Sequence, residues 1–241
     1  LSTPPTDLDQ PRDVTAGAKD RGAAAVAPEA RREQIRRVAT TSESRRRAAP
    51  GWGGARIYAL GHSTRPIEEL IELLRAAGVV TVADVRTIPR SRANPQFEQA
   101  ALARALRAAR IGYAHLPRLG GLRHARRDSP NGGWHNASFR GYADHMATPE
   151  FEEGLGQLRA LARTGPVALL CAEAVPWRCH RSLIADALLA RGVVVEHVTG
   201  RGRSRPHRLT PFARVEGRQV TYPPPAAGAG AGAEGAGAGA P

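Results

Sequence analysis

The chain has 241 residues, 41% of them hydrophobic, and a formal net charge of +13. That length admits one ordinary domain with extensions. Two cysteines exclude a disulfide-stapled secreted scaffold, and no apolar run approaches the ~20 residues of a membrane helix. The amino end also lacks the apolar core of a signal peptide, so a cytoplasmic protein with no membrane partner is expected. The basic excess is spread along the chain and is almost all arginine, Lys19 being the only lysine. A single nucleic-acid arm is thereby excluded, and convergence of arginines becomes the feature to look for, because guanidinium forks suit phosphate and carboxylate.

Residues 1–54 mix Pro, Asp, Thr, Ala and Arg without apolar periodicity and end in Arg45-Arg46-Arg47 and the turn-like Pro50-Gly51-Trp52-Gly53-Gly54. They carry too little apolar surface to offset the entropy of ordering, so a disordered basic extension is expected. From Arg56 the pattern changes. Ile57-Tyr58-Ala59-Leu60 reads as a strand stopped by Gly61, and Pro66 opens a helix with Ile67, Leu70, Ile71 and Leu74 on one face and Gly78 as its stop. Residues 79–85 are β-branched and apolar, as a strand covered on both faces should be. A polar loop over 86–95 leads to a helix from about Phe97 to Arg110, and residues 112–116 make a third strand. The span 117–137, with two glycine pairs and Trp134, is too long for an idle connection.

Residues 139–146 read as a short helix, and Thr148-Pro149-Glu150 caps and starts another, with Leu155, Leu158 and Leu161 as its buried stripe. Residues 166–170 form a strand, a helix runs from Arg178 or His180 to Arg191, and residues 193–195 open a last strand. The Arg-rich and then Ala/Gly-rich stretch 201–241 is expected to be mostly disordered. The alternation implies an α/β domain over 55–200. It is a three-layer sandwich with a mainly parallel sheet of about five strands, whose ligands bind at the carboxyl ends of the strands. Four loops share that edge: Gly61-His62-Ser63, Asp84-Val85-Arg86 with Arg90 and Arg92, the loop after His115, and the segment from Cys171 to Arg181.

That last segment, Cys171-Ala-Glu173-Ala-Val-Pro-Trp177-Arg178-Cys179-His180-Arg181, holds both cysteines. A cysteine reacts as its thiolate, which a helix amino terminus and neighbouring Arg or His stabilise. Cys171 at a strand end and Cys179 at a helix start both qualify. Glu173 offers a general acid or base, or an ion-pair partner for Arg178 or Arg181, and His180 a base, ligand or cap. Trp177 presents a face for stacking. Asp84 is read as an anchor for Arg86, and Ser63 as a helix cap or anion contact. Cys171, Cys179 and His180 with His62 or His115 would make a sulfur and nitrogen metal set, but the cysteine spacing followed at once by His is not a zinc-finger pattern, and no metal ligand is assigned. No nucleophile elbow, P-loop or dinucleotide fingerprint occurs.

Residues 56 to about 200 resemble the domain-of-unknown-function family 488. The motifs are Gly61-His62-Ser63, Asp84-Val85-Arg86 with Pro89-Arg90-Ser91, Leu116-Pro117 with Leu119-Gly120-Gly121, Phe139-Arg140-Gly141-Tyr142, and Cys171-Ala-Glu173 with Pro176 and Cys179-His180-Arg181. The resemblance implies a bacterial or archaeal α/β domain and carries no reaction. The order strand, Cys, loop, Arg, helix is also similar to rhodanese-like and Cys-loop phosphatase domains, but a phosphatase loop would place its Arg where Trp177 stands, and a rhodanese loop would reach its Arg before Arg181.

The reading that results is a thiol-dependent hydrolase or transferase with Cys171, Cys179, Glu173 and His180 as catalytic groups. His62, Ser63, Asp84, Arg86, Arg90, Trp177, Arg178 and Arg181 would bind an anionic small molecule, a nucleotide or a nucleic acid. A non-catalytic nucleic-acid or nucleotide binding module and a metal site are the alternatives, and no cofactor is named.

Overall fold

The computed structural model describes residues 51–225. The extension expected over residues 1–50 and the tail over 226–241 lie outside the described residues. In chain order the elements are β1 (Ile57–Gly61), α1 (Ile67–Ala76), β2 (Thr81–Asp84), α2 (Gln99–Ala108), β3 (Gly112–His115), α3 (Ala137–His145), α4 (Pro149–Ala162), β4 (Val167–Cys171), α5 (Arg181–Ala190), β5 (Val195–Gly200), β6 (Arg203–Pro206), β7 (Arg214–Glu216) and β8 (Gln219–Thr221). The first six strands form one sheet in the order β3-β2-β4-β1-β5-β6, parallel except for the β5–β6 pair.

Successive residues of a strand point to opposite faces, and here both faces are covered. Ile57, Ala59, Val167, Leu169 and Cys171 pack under α3, α4 and α5, whereas Tyr58, Leu60, Ala168 and Leu170 pack under α1 and α2. The three-layer α/β arrangement is therefore as expected, with one strand more than expected in the sheet. No helix among the described residues is long and apolar enough to cross a membrane.

Strand order, which periodicity does not encode, puts β4 between β2 and β1. Gly61 pairs with Cys171, and Asp84 with Leu170. The loops after β1 and β2 thus flank the cysteine segment on either side. His115 lies one strand further out, in register with Asp84.

The expected end of the ordered domain at about residue 200 is corrected. Beyond it, β6 pairs with β5, β7 and β8 make a hairpin, and Tyr222 is fully buried. Ala213, Val220 and Tyr222 of this stretch join the core, and polar contacts anchor it to α5. Asp186 of α5, with no exposed surface, accepts from Tyr222 Oη at 2.8 Å, from Thr210 N at 3.0 Å and Oγ1 at 2.7 Å, and from His207 Nε2 at 2.8 Å. A buried carboxylate is tolerated when its lone pairs are filled in this way. The long 117–137 connection is likewise pinned by a buried acid, since Asp144 accepts from Arg126 N, Ser129 Oγ and Asn131 Nδ2 at 2.6 to 2.8 Å.

Candidate functional site

The site is assembled where β4 runs out. The parallel ladder continues one step beyond the strands, with His62 N donating to the Cys171 carbonyl and Ser63 N to that of Ala172, both at 2.9 Å. The two loops are so close that a Cβ at Gly61 would stand 1.9 Å from the Glu173 carbonyl oxygen, so only glycine fits there. Ser63 adopts φ 49°, a left-handed conformation uncommon outside glycine. The chain then crosses in a single 3-10 turn, Pro176–Arg178, and Cys179 arrives at the start of α5. Its carbonyl is fixed by Ser182, which donates from N at 3.0 Å and Oγ at 2.9 Å.

Cys171 Sγ, Cys179 Sγ and a ring nitrogen of His180 all lie within 4.8 Å of one another, with 3.7 Å between Cys179 Sγ and His180 Nδ1. His180 Nε2 donates to the Val85 carbonyl at 3.0 Å. That bond requires a proton on Nε2 and leaves Nδ1 facing the sulfur, as a lone pair in the neutral ring and as an N–H in the imidazolium. Arg181 donates from Nε to Cys179 Sγ at 3.2 Å and from Nη2 to the Glu173 carbonyl. It is only 1% exposed, and among the described residues no carboxylate oxygen lies within the 4.0 Å of an ion pair. A guanidinium stays charged, and a buried charge needs a counter-charge. The group that its Nε–H meets is the Cys179 sulfur.

The two thiols divide accordingly. Cys179 is drawn well below its ordinary value, first by the hydrogen bond from Cys171 and then by His180 and Arg181, against the opposing effect of burial. Cys171 is pushed up by the same hydrogen bond and by burial. The two shifts are opposite in direction, and they belong to the pair of sulfurs together.

Three residues expected to meet substrate do something else. Asp84 and Arg86 form a buried bidentate pair, with Arg86 Nε on Oδ1 at 2.9 Å and Nη2 on Oδ2 at 2.5 Å; Tyr113 Oη adds a bond to Oδ2 at 2.9 Å. Arg86 Nη1 donates to the Phe97 carbonyl at 2.9 Å and to His62 Nε2 at 3.3 Å. Every guanidinium nitrogen of Arg86 is engaged, so it is not a free anion fork. His62, stacked on Phe97 at 4.0 Å and donating from Nδ1 to the Ser63 carbonyl, is lowered to about 4, chiefly by burial. His115 donates to the Arg86 carbonyl at 2.9 Å and serves the same network. Anchoring of Arg86 by Asp84, one of the expectations, is what the geometry has.

Glu173 differs as well. Its carboxylate accepts from Val175 N at 3.0 Å, and it pairs with neither Arg178 nor Arg181. It shapes the loop with its side chain and holds Arg181 with its carbonyl. Ser63 makes no side-chain cap on α1. Arg90, Arg92 and Arg178 are exposed, and Trp177 is 73% exposed. Among the described residues these arginines have no ion-pair partner.

Other groups at the site were not singled out as site residues. A Cβ at Gly121 would stand 2.4 Å from His180 Nδ1, so the glycine pair lets the 117–137 loop lie against the imidazole. Tyr142 is fully buried, donates to the Leu119 carbonyl at 2.9 Å, and sets its ring 5.0 Å from that of His180. The signal for Gly121 was its place in an unusually long loop; the tertiary approach to His180 had no local signal.

Neither the curated proteins nor the solved structures contain a match to this chain. The family model described as Domain of unknown function DUF488 matches residues 66–188. That match takes in just over half the chain, from the opening of α1 to the helix that carries Arg181, and the chain belongs to the DUF488 family.

Proposed function

We propose that the protein is a thiolate-dependent hydrolase or transferase acting on a substrate with an anionic group. Cys179 is the nucleophile, His180 Nδ1 takes or returns a proton beside it, and Arg181 holds the thiolate charge. The observation that carries this reading is a buried arginine that, among the described residues, pairs with no carboxylate and donates its Nε–H to sulfur at 3.2 Å. Cys179 is only 4% exposed, so the reacting group must be small or terminal. Arg90 and Arg178, exposed on neighbouring loops, supply contacts for phosphate or sulfur oxyanions, and Trp177 a face for a base. Free thiols suit a reducing cytoplasm.

Iodoacetamide labelling across pH, read by mass spectrometry, tests it. Cys179 is expected to alkylate with a midpoint far below the roughly 8.5 of a free thiol, and Cys171 only above it. Ordinary midpoints at both positions would remove the thiolate.

A second reading is favoured by Trp177, 73% exposed between Pro176 and Arg178: a binding module for single-stranded nucleic acid, with stacking on the indole. It expects affinity for an oligonucleotide that falls steeply with salt and persists in the Cys179→Ser protein. A metal held by Cys171, Cys179 and His180 has three donors in reach, and the His180 bond to the Val85 carbonyl matches the support such ligands receive, but the Arg181 charge on Cys179 opposes an added cation. Metal analysis of the purified protein separates these.

A further inference from the structure

Nucleophilic catalysis uses one sulfur, and the structure brings together two. Cys171 Sγ lies within 4.8 Å of both Cys179 Sγ and a ring nitrogen of His180. Both cysteines are free and buried, at 9% and 4% exposure. A thiolate beside a protonated thiol is the arrangement in which one sulfur is oxidised and the other resolves it. We propose that the two cysteines are a redox pair: Cys179 reduces a small hydroperoxide, and Cys171 resolves the product as an intramolecular disulfide that a dithiol reductant reopens. The inference rests on the thiolate reading of Cys179.

The chemistry balances. Cys179 thiolate attacks the distal oxygen of the hydroperoxide, an S–O bond forms, the O–O bond breaks, and hydroxide or alkoxide leaves. Sulfur is oxidised by two electrons and the peroxide reduced by two. Arg181, on Cys179 Sγ at 3.2 Å, stands where it stabilises the departing negative oxygen. Cys171 then gives its proton to His180 Nδ1 and attacks Cys179 Sγ. The S–S bond forms, the S–O bond breaks, and hydroxide leaves as water with the proton from His180. A dithiol returns the two electrons by exchange and is itself released as its disulfide. With both sulfurs nearly covered, the oxidant must be small.

Arg181 also sets the lability of the disulfide. Oxidation removes the thiolate and leaves a guanidinium of 1% exposure without its counter-charge. The reduced state is favoured by that pairing, so the disulfide is an easily reduced, working bond and not a structural staple. The sulfurs must close to about 2.05 Å. Side-chain rotation and the 172–178 loop, with Ala172, Ala174, Trp177 and Arg178 exposed, provide the room.

The test uses the full chain, reduced and then treated with hydrogen peroxide. Expected are an intact mass lower by two hydrogen atoms, a peptide linking Cys171 to Cys179, and full reversal by dithiothreitol. Cys171→Ser should form no linked peptide and accumulate at Cys179 a sulfenic acid trapped by dimedone. Cys179→Ser should lose about 30-fold or more in rate near neutral pH, the factor set by the ionised fraction of an ordinary thiol. Iodoacetamide labelling on the same samples separates two failures. If Cys179 alkylates at acid pH but peroxide yields only sulfinic acid and no linked peptide, the redox pair is overturned and the nucleophile stands. If neither cysteine labels below the ordinary thiol range, both readings fall together.

Discussion

The molecule holds two buried arginines at the carboxyl edge of one sheet, and they are built differently. Arg86 faces Asp84 bidentately and spends its remaining nitrogen on a carbonyl and on His62. Arg181 has a sulfur and a carbonyl, and no carboxylate among the described residues. The difference teaches that a buried guanidinium is inert when a carboxylate of fixed charge answers it. When a titratable thiol answers it, the charge can be moved by chemistry.

The largest expected effect comes from breaking the inert pair. Asp84→Asn leaves Arg86 buried without a counter-charge and should cost about 3 to 5 kcal/mol, read by urea denaturation; a loss below about 1 kcal/mol would show that Arg86 finds another anion. Cys179→Ser applies the same operation to Arg181. It should destabilise by about 2 to 3 kcal/mol and abolish alkylation at acid pH, whereas Cys171→Ser should cost less. Equal effects at the two cysteines would contradict the division of charge between them.

The pH dependence sharpens the contrast further. Between the folded and unfolded values of Cys179, the folded chain lacks a proton that the unfolded thiol keeps, so stability rises with pH, by at most about 1.4 kcal/mol per pH unit. As the pH falls toward the folded value that contribution is lost. Below about 6.5, His62 and His197, both lowered to about 4 and chiefly by burial, act in the same direction, because only the unfolded imidazoles take protons. Cys179→Ser should flatten the slope above about 6.5 and leave the histidine part below it. A slope unchanged in that variant would place the coupling elsewhere.

Smaller effects are expected at the rim. Gly121→Ala drives a methyl against His180, moving the ring from Cys179. It should cost about 1 to 3 kcal/mol and slow Cys179 alkylation, and Gly120→Ala, whose Cβ meets Thr87 instead, is the control for loop damage alone. Trp177→Ala should change stability by less than about 0.5 kcal/mol, since the indole is mostly in solvent. If it lowers oligonucleotide affinity by about 1 to 3 kcal/mol, the binding module gains weight.

The amino-acid sequence by itself determined the α/β class and the order of the elements from β1 to β5, and it pointed to the carboxyl edge of the sheet for the candidate site. Hydrophobic periods of 3.6 and 2 and the Pro and Gly stops are local properties that survive without knowledge of partners. It also marked the eleven-residue cysteine segment by composition alone. Only the tertiary structure decided that β4 lies between β1 and β2, because strand order depends on nonlocal pairing. That order brought His180 to the Val85 carbonyl and Arg86 to His62, whereas the Asp84–Arg86 and Cys179–Arg181 contacts join residues only two positions apart; together these contacts leave Arg86 no free nitrogen. The stretch beyond Gly200 was missed for a related reason. Its anchor, Tyr222, is held by Asp186 and Asn131, residues 36 and 91 positions away, and no local pattern records a partner that far along the chain.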